Sequence, residues 1–352
     1  MFRILKIASA FIGIIIGAGF ASGQEALQYF TSFGRIGTIG AIISTIFFAY
    51  LGMVLTKIGS RLQTTSYRDA IYSISGRYLG TIVDGVILFT LFGVGVTMIA
   101  GAGSLLAQQF NLHQATGSTL IVILIIITMM LNVNKVIAII GSVTPLLILV
   151  TLIVSVYSLA NMNMSFDELE PIAKAVDTSL PNWFVSSINY VSFNIAVGAG
   201  MSIVMGGAEK NERIAALGGL VGGLGIGLII ILGHLAIFSQ VNIAAQYDMP
   251  LLKLANEVSP ILGLIMSFIL LGMIFNTGIS MFYAFVARFC NLESKSFYIG
   301  TIIIVLLGFA ASFVGFTQLV SKLYSFIGYI GLFLMITLIY APFKLRKMKK
   351  KH

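Results

Sequence analysis

Long apolar stretches alternate with short polar ones along the whole chain, and most of the apolar stretches are of bilayer-crossing length. About 20 mainly apolar residues span the hydrocarbon layer, and on that scale ten crossings are expected. The first five run from 4 to 31, 36 to 58, 79 to 108, 118 to 133 and 136 to 160; the second five run from 183 to 208, 213 to 238, 259 to 290, 297 to 315 and 322 to 342. Between the sets lies the most polar segment, 161 to 182. It carries Asp167, Glu168, Glu170 and Asp177, is punctuated by Pro171 and Pro181, and reads as a linker with a short helix outside the membrane. Two mildly amphipathic stretches, Arg61 to Arg77 and Ile243 to Val258, are each expected to form a short helix across the bundle. The expected organisation is a first five-helix unit (1 to 160), the linker, a second five-helix unit (183 to 343) and a basic tail (344 to 352).

Composition narrows the class. Hydrophobic residues make up 58% and charged residues 9% of 352, too few charges to cover a water-facing surface of this size. A soluble globule is excluded. Alternating ten-residue segments are absent, which favours α-helices over a barrel. Cys290 is the single cysteine, so no intramolecular disulfide can form.

The net charge of +9 would suggest nucleic acid in a soluble chain, but here the positive residues sit at span ends. With both termini in the cytoplasm, seventeen of the 21 Lys and Arg fall inside, and Arg35, Lys174, Lys253 and Lys322 fall outside. That asymmetry is the one the positive-inside rule requires. A multi-pass protein of the plasma membrane with cytoplasmic termini is expected, its tail Lys344 to Lys351 resting on anionic headgroups. Arg3 and Lys6 before an apolar stretch also resemble a secretory signal, but cleavage there would remove one crossing and spoil the asymmetry.

The informative feature is where the apolar spans are interrupted. In the first, Ile14-Ile15-Ile16 leads into Gly17-Ala18-Gly19-Phe20-Ala21-Ser22-Gly23-Gln24-Glu25; in the sixth, Ile195-Ala196-Val197 leads into Gly198-Ala199-Gly200-Met201-Ser202. Thirteen residues separate Ile4 from Gly17, about 20 Å of helix, so the first interruption is deep in the bilayer, and the second lies at similar depth from the opposite side. An odd number of spans per half makes the second half inverted relative to the first, and paired glycine interruptions in inverted halves point to a central transport site. Freed N–H groups there favour a carboxylate and freed carbonyls an ammonium or Na⁺, so a zwitterion suits both. The competing reading is that Gly-x-Gly merely permits close helix packing.

Other polar residues fall near this depth. Glu25 is either a proton carrier or cation ligand, or a structural group bonded to the sixth helix. Asn276 and Ser280 share a helix face beside Thr277, and their oxygens suit Na⁺; bonding to their own backbone is the alternative. Tyr190 and Phe193 are candidate gate residues, Asn194 and Thr97 candidate lining residues, and His234 reads as a satisfied structural histidine.

The segment from Ile12 to Gly23 resembles the glycine-rich first span of the amino acid, polyamine and organocation (APC) superfamily, and Gly17 to Glu25 is most similar to the YkvI-type bacterial membrane proteins. The resemblance implies a LeuT-like fold: all-α, ten transmembrane helices as a 5+5 inverted repeat with helices 1 and 6 discontinuous. It implies a secondary transporter of a small zwitterionic solute, an amino acid or similar. The backbone of Gly17, Ala18, Gly19, Phe20, Ala21 and Ser22 would bind it with that of Phe193, Asn194, Gly198, Ala199 and Gly200. Thr277 and Ser280 would hold Na⁺ with the backbone of Gly17, and no other cofactor is implied. Glu25 and Asn276 complete the ion-coupling candidates. The fifth span lacks the mid-membrane lysine of some proton-coupled relatives, leaving Glu25 as a substitute, and the chain has ten spans where many relatives have twelve.

An enzyme is disfavoured, because no metal-ligand cluster, catalytic Ser/His/Asp or Cys/His set, or phosphate-binding glycine loop ending in lysine is visible. A membrane receptor that keeps the fold and moves nothing is the other alternative.

Overall fold

A computed structural model of the chain describes residues 1–63, 67–130, 144–291 and 294–349, with side chains described except over 64–79, 131–144, 292–293 and 342–352. The described residues form helices and no strand. The first expected span is three pieces: α1 (Phe2–Ile15), α2 (Ala18–Ser22) and α3 (Gln24–Tyr29). There follow α4 (Ile36–Leu62), α5 (Tyr67–Phe110), α6 (Gln114–Met130), α7 (Thr144–Ala160) and the linker helix α8 (Phe166–Lys174). The second half comprises α9 (Trp183–Gly207), α10 (Glu212–Ser239), α11 (Val241–Ala244), α12 (Pro250–Val258), α13 (Pro260–Ala287) and α14 (Lys295–Ser312). The last crossing opens with α15 (Phe316–Gln318), passes through a π-helical turn, Leu319–Tyr324, and continues as α16 (Ser325–Lys349). Seven described helices are long and apolar enough to cross a membrane, with two shorter apolar ones at Gln114–Met130 and Pro145–Ala160.

Two expectations are corrected. The stretch Arg61 to Arg77 does not make a separate helix: from Tyr67 it is the start of α5, which runs without interruption to Phe110. The sixth span is not discontinuous, since α9 is one α-helix through Gly198, Ala199 and Gly200. The end of the fourth span and the start of the fifth, with Lys135, lie outside the described residues, as do Lys350, Lys351 and His352.

Local chemistry sets the helix ends. Asn182, Asn211, Ser259 and Ser294 each accept a first-turn N–H at the start of α9, α10, α13 and α14, while Gln63 and Asn111, both at positive φ, stop α4 and α5. Between helices the packing is at backbone distance. A Cβ on Gly219 would strike the Gly52 carbonyl, one on Gly223 the Phe48 carbonyl, and one on Gly206 the Thr56 carbonyl. The Thr56 hydroxyl donates to the carbonyls of Gly52 and Ala215, each at 2.8 Å. Small residues and a bridging hydroxyl thus join α4, α9 and α10 where no hydrophobic effect between helices is at hand. The outer faces are apolar: Ile39, Ile42 and Ile46 on α4 and Leu146, Leu149 and Ile153 on α7 are exposed at helical spacing, the surface lipid covers.

The side of the bundle holding Met1 is laced by ion pairs: Arg3 with Glu209, Arg61 with Glu212, and Arg288 with Asp84. On the far side, Ser165 and Glu168 form a reciprocal cap on α8, and the Ser165 amide and hydroxyl hold the Glu168 carboxyl below its usual range. Glu170 seats against Gly34 and accepts from the Arg35 amide at 2.8 Å. Burial works to raise the Glu170 carboxyl, but its bonds to Lys174 and the Arg35 amide leave it below the ordinary carboxylate range. His234, fully buried, bridges the hydroxyls of Thr31 at 3.0 Å and Thr38 at 2.9 Å, the satisfied role expected of it. Asp248, between α11 and α12, accepts from Ser104 at 2.7 Å and from Thr317 at 2.6 Å.

Candidate functional site

The site begins where the first crossing leaves the helix. Ile16 turns extended (φ −76°, ψ 90°) and Gly17 remains so (φ −99°, ψ −171°); a helix resumes at Ala18 and stops again at Gly23 in the left-handed region (φ 86°). Only glycine adopts that conformation without strain, and a Cβ on Gly23 would also press on Leu251 at 2.8 Å. Ser22 closes the joint, donating to the Gly19 carbonyl at 2.7 Å and accepting from the Gln24 amide at 3.1 Å. Beside Gly17 nothing lies within 4 Å of where a Cβ would stand, so the chain departs from helical geometry next to open space.

Glu25, on the first turn of α3, is 5% exposed and points back along the crossing. One carboxylate oxygen lies against Gly19; the other accepts from the Tyr190 hydroxyl of α9 at 3.1 Å. The Tyr324 ring also touches Gly19, 3.3 Å from a Cβ there, and stacks on Phe193 with centroids 4.1 Å apart at 23°. Tyr29 packs on Tyr190 at 5.0 Å. One acid and four aromatic rings from the first, sixth and last crossings therefore meet beside the break. Tyr324 and Tyr29 were not among the sequence candidates. Tyr324 ends the π-helical turn, a feature that often marks functional sites and that no residue pattern in the last span announces.

The other candidates divide. Thr97 is buried and returns its hydroxyl to the Gly93 carbonyl at 3.0 Å. Phe20 packs towards Gly233 of α10, and Ala18 and Ala21 are buried. Asn194 donates to the Tyr190 carbonyl and Ser202 to the Gly198 carbonyl, both within α9. Gly198 receives Ile15 and Ile14 where its side chain would be. Ala199 is buried in the same helix, and Gly200 is partly exposed beside the exposed Met201. The second Gly-Ala-Gly is therefore a seat for the first crossing. Its helical bonds are kept because contact with Ile14 and Ile15 offsets the roughly 1 kcal/mol that each glycine costs a helix.

On α13, which packs against α2, the Asn276 Oδ1 atom is buried with no hydrogen-bond partner. The half-buried Thr277 and Ser280 bond no other described residue. Gly278 faces away from them, against Ile125 and Met98.

On the far side of Glu25 opens a cavity of about 550 Å³, bounded by Gln24 and Gln28 of α3, Asp177 of the linker, Gln246 and Asp248 before α12, and Lys322 of the last crossing. Glu25 is not part of its wall.

No family model matches the chain. It is 26% identical over 330 residues to "Uncharacterized membrane protein YkvI" of Bacillus subtilis (strain 168), covering 93% of this chain and 92% of that protein. It is 27% identical over 332 residues to "Uncharacterized protein YyaD" of the same organism, covering 94% of each. Among solved structures, MhsT in complex with L-phenylalanine superposes with a TM-score of 0.65 at 16% identity, over 93% of this chain and 87% of that one. The inward-facing conformation of Mhp1 superposes with a TM-score of 0.61 at 12% identity, over 98% and 77%. A manganese transporter of Eremococcus coleocola gives 0.53 at 16%, over 96% and 77%. The chain thus has the LeuT-type fold, and along nearly its full length its sequence is similar to the YkvI-type bacterial membrane proteins.

Proposed function

We propose that the chain is an ion-coupled secondary transporter whose solute is small and carries an amino group, an amino acid or an amine of similar size. The observation that carries this reading is the break at Ile16 and Gly17, in a crossing with a buried acid and aromatic rings beside it. Lipid cannot satisfy backbone groups released at that depth, so a break is kept where a polar guest, ion or water takes their place. Phe193 and Tyr324 form the gate above the guest, with Tyr190 behind them.

In this reading the two five-helix units are inverted repeats, the termini are cytoplasmic, and the far-side cavity is the outer vestibule. The first crossing rocks on the sixth to open the outer and inner paths in turn. Na⁺ is the preferred coupling ion. The oxygens of Asn276, Thr277 and Ser280, unpartnered among the described residues, and the backbone at Gly17 supply the neutral ligands a hard cation accepts. Uptake of labelled solutes into proteoliposomes under an imposed Na⁺ or H⁺ gradient tests the proposal. Accumulation driven by either gradient is expected, whereas binding with no flux under both would make the protein a receptor.

A further inference from the structure

We infer that the far-side cavity binds a short peptide, with the side-chain amides of Gln24 and Gln28 reading alternate peptide groups and Asp177 and Lys322 meeting the charged ends. This stands apart from the transporter reading: it concerns what the cavity holds, whether or not the chain moves a solute.

Gln24 and Gln28 lie one helical turn apart on the same face of α3, and both belong to the wall of the cavity of about 550 Å³. Gln24 is 2% and Gln28 4% exposed, and neither side-chain amide forms a hydrogen bond among the described residues. Buried polar groups are nearly always bonded, and an exception weakens the fold unless something outside the chain supplies the partner. Two such exceptions side by side at one cavity mark a place for a guest that brings both donors and acceptors. A half-turn about the last side-chain bond exchanges carbonyl and amino group, so each amide can offer either one.

Spacing and charge select among such guests. Four residues of α-helix rise about 6 Å, and two residues of extended chain advance about 6.6–7.2 Å. Amides at i and i+4 therefore match every second peptide group of an extended peptide. At the rim stand two exposed charges, Asp177 of the linker and Lys322 of the π-helical turn, and among the described residues neither side chain has an ion pair or hydrogen bond. The hydroxyls of Ser179 and Ser321, 2.9 Å apart, tie these two segments together, which keeps both charges within reach of one molecule. A free N-terminus suits the carboxylate and a free C-terminus the ammonium. The other wall acid is already committed, since the Asp248 oxygens accept from Ser104 and Thr317. The cavity volume is that of a site for a drug-sized ligand rather than for one small amino acid.

Trialanine, Ala-Leu-Ala and Ala-Phe-Ala provide the test, titrated by calorimetry and thermal shift into the full-length protein in nanodiscs beside alanine, leucine and phenylalanine. At least one peptide is expected to bind about tenfold or more tightly than any single amino acid, the order of gain from one desolvated amide–peptide pair. Gln24→Leu combined with Gln28→Leu should abolish that advantage. The amides it replaces are unbonded, so the double variant should fold, and melting curves establish this. Lys322→Gln and Asp177→Asn change exposed residues and decide the matter if the buried pair does not tolerate leucine. The first should erase the preference for a free over an amidated C-terminus, and the second the preference for a free over an acetylated N-terminus. Binding of no peptide, single amino acids that match every peptide, or undiminished peptide affinity in the folded double variant overturns the inference. So does a parent protein indifferent to both blocked ends. Gradient-driven solute uptake without peptide binding sinks this inference and leaves the transporter reading standing; peptide binding without uptake under any gradient does the reverse.

Discussion

Ile15 Cδ1 stands 2.5 Å from the point where a Cβ on Gly198 would project, so the first crossing rests on the sixth one residue before it leaves the helix. Gly198→Ala should lower thermal stability by about 1 kcal/mol at most, since the Ile15 side-chain end can shift and alanine regains the helix propensity that glycine forfeits. Gly17→Ala, with no atom within 4 Å and an ordinary φ of −99°, should fold with little change. Parallel melting curves in one detergent check the pair, and equal losses would remove the distinction drawn between seat and break.

The oxygens on α13 that have no partner among the described residues lead to a second expectation. Thr277→Ala combined with Ser280→Ala should raise the half-activating Na⁺ concentration about tenfold or more, the equivalent of roughly 1.4 kcal/mol of lost ion binding. Uptake measured against a Na⁺ series reads this directly, and an unchanged Na⁺ dependence would take these hydroxyls out of the ion site.

His234 holds Thr31 and Thr38 at once from inside the bundle. His234→Ala leaves the fully buried Thr31 hydroxyl without its partner and opens a void beside Phe238. The expected loss is about 2–4 kcal/mol, with faster proteolysis of the segment between α3 and α4. A variant as stable as the parent would show the bridge to be incidental.

The far-side linker should be sensitive to acid. A carboxylate held below its unfolded value stabilises the fold above that value and loses the contribution as pH falls towards the folded one. Glu168 and Glu170 are both of this kind, so hydrogen-exchange protection factors over 165–176, which are corrected for the intrinsic rate at each pH, should fall on acidification through the carboxylate range and stay flat from neutral to mildly alkaline pH. Gly34→Ala, at φ 62° and against the Glu170 carboxylate, should produce the same loss of protection at neutral pH.

Most spans were legible because bilayer thickness fixes the length of an apolar run, and the polar, proline-punctuated stretch 161 to 182 announced the linker and its short helix. The first break was legible because three glycines and an acid crowd one stretch. The identical Gly-Ala-Gly at 198 misled, because a triplet does not say whether its missing side chains make room for a turn or for a neighbour. Gly23 at positive φ, with Ser22 bonding on both sides, turns one copy into a joint. Ile14 and Ile15 make the other a socket. Tyr324 was illegible for another reason: it reaches Gly19 from the end of a π-helical turn that no local residue pattern in the last span announces.

The first crossing can also be viewed as a linkage. Its lower strut is pinned through Arg3 to Glu209, its upper strut through Thr31 to His234, and five residues, Ala18 to Ser22, lie between two swivels at Gly17 and Gly23. Torque applied at either end is delivered to that short rotor rather than spread along a stiff rod. A push from one membrane face therefore registers first at Ala18 to Ser22.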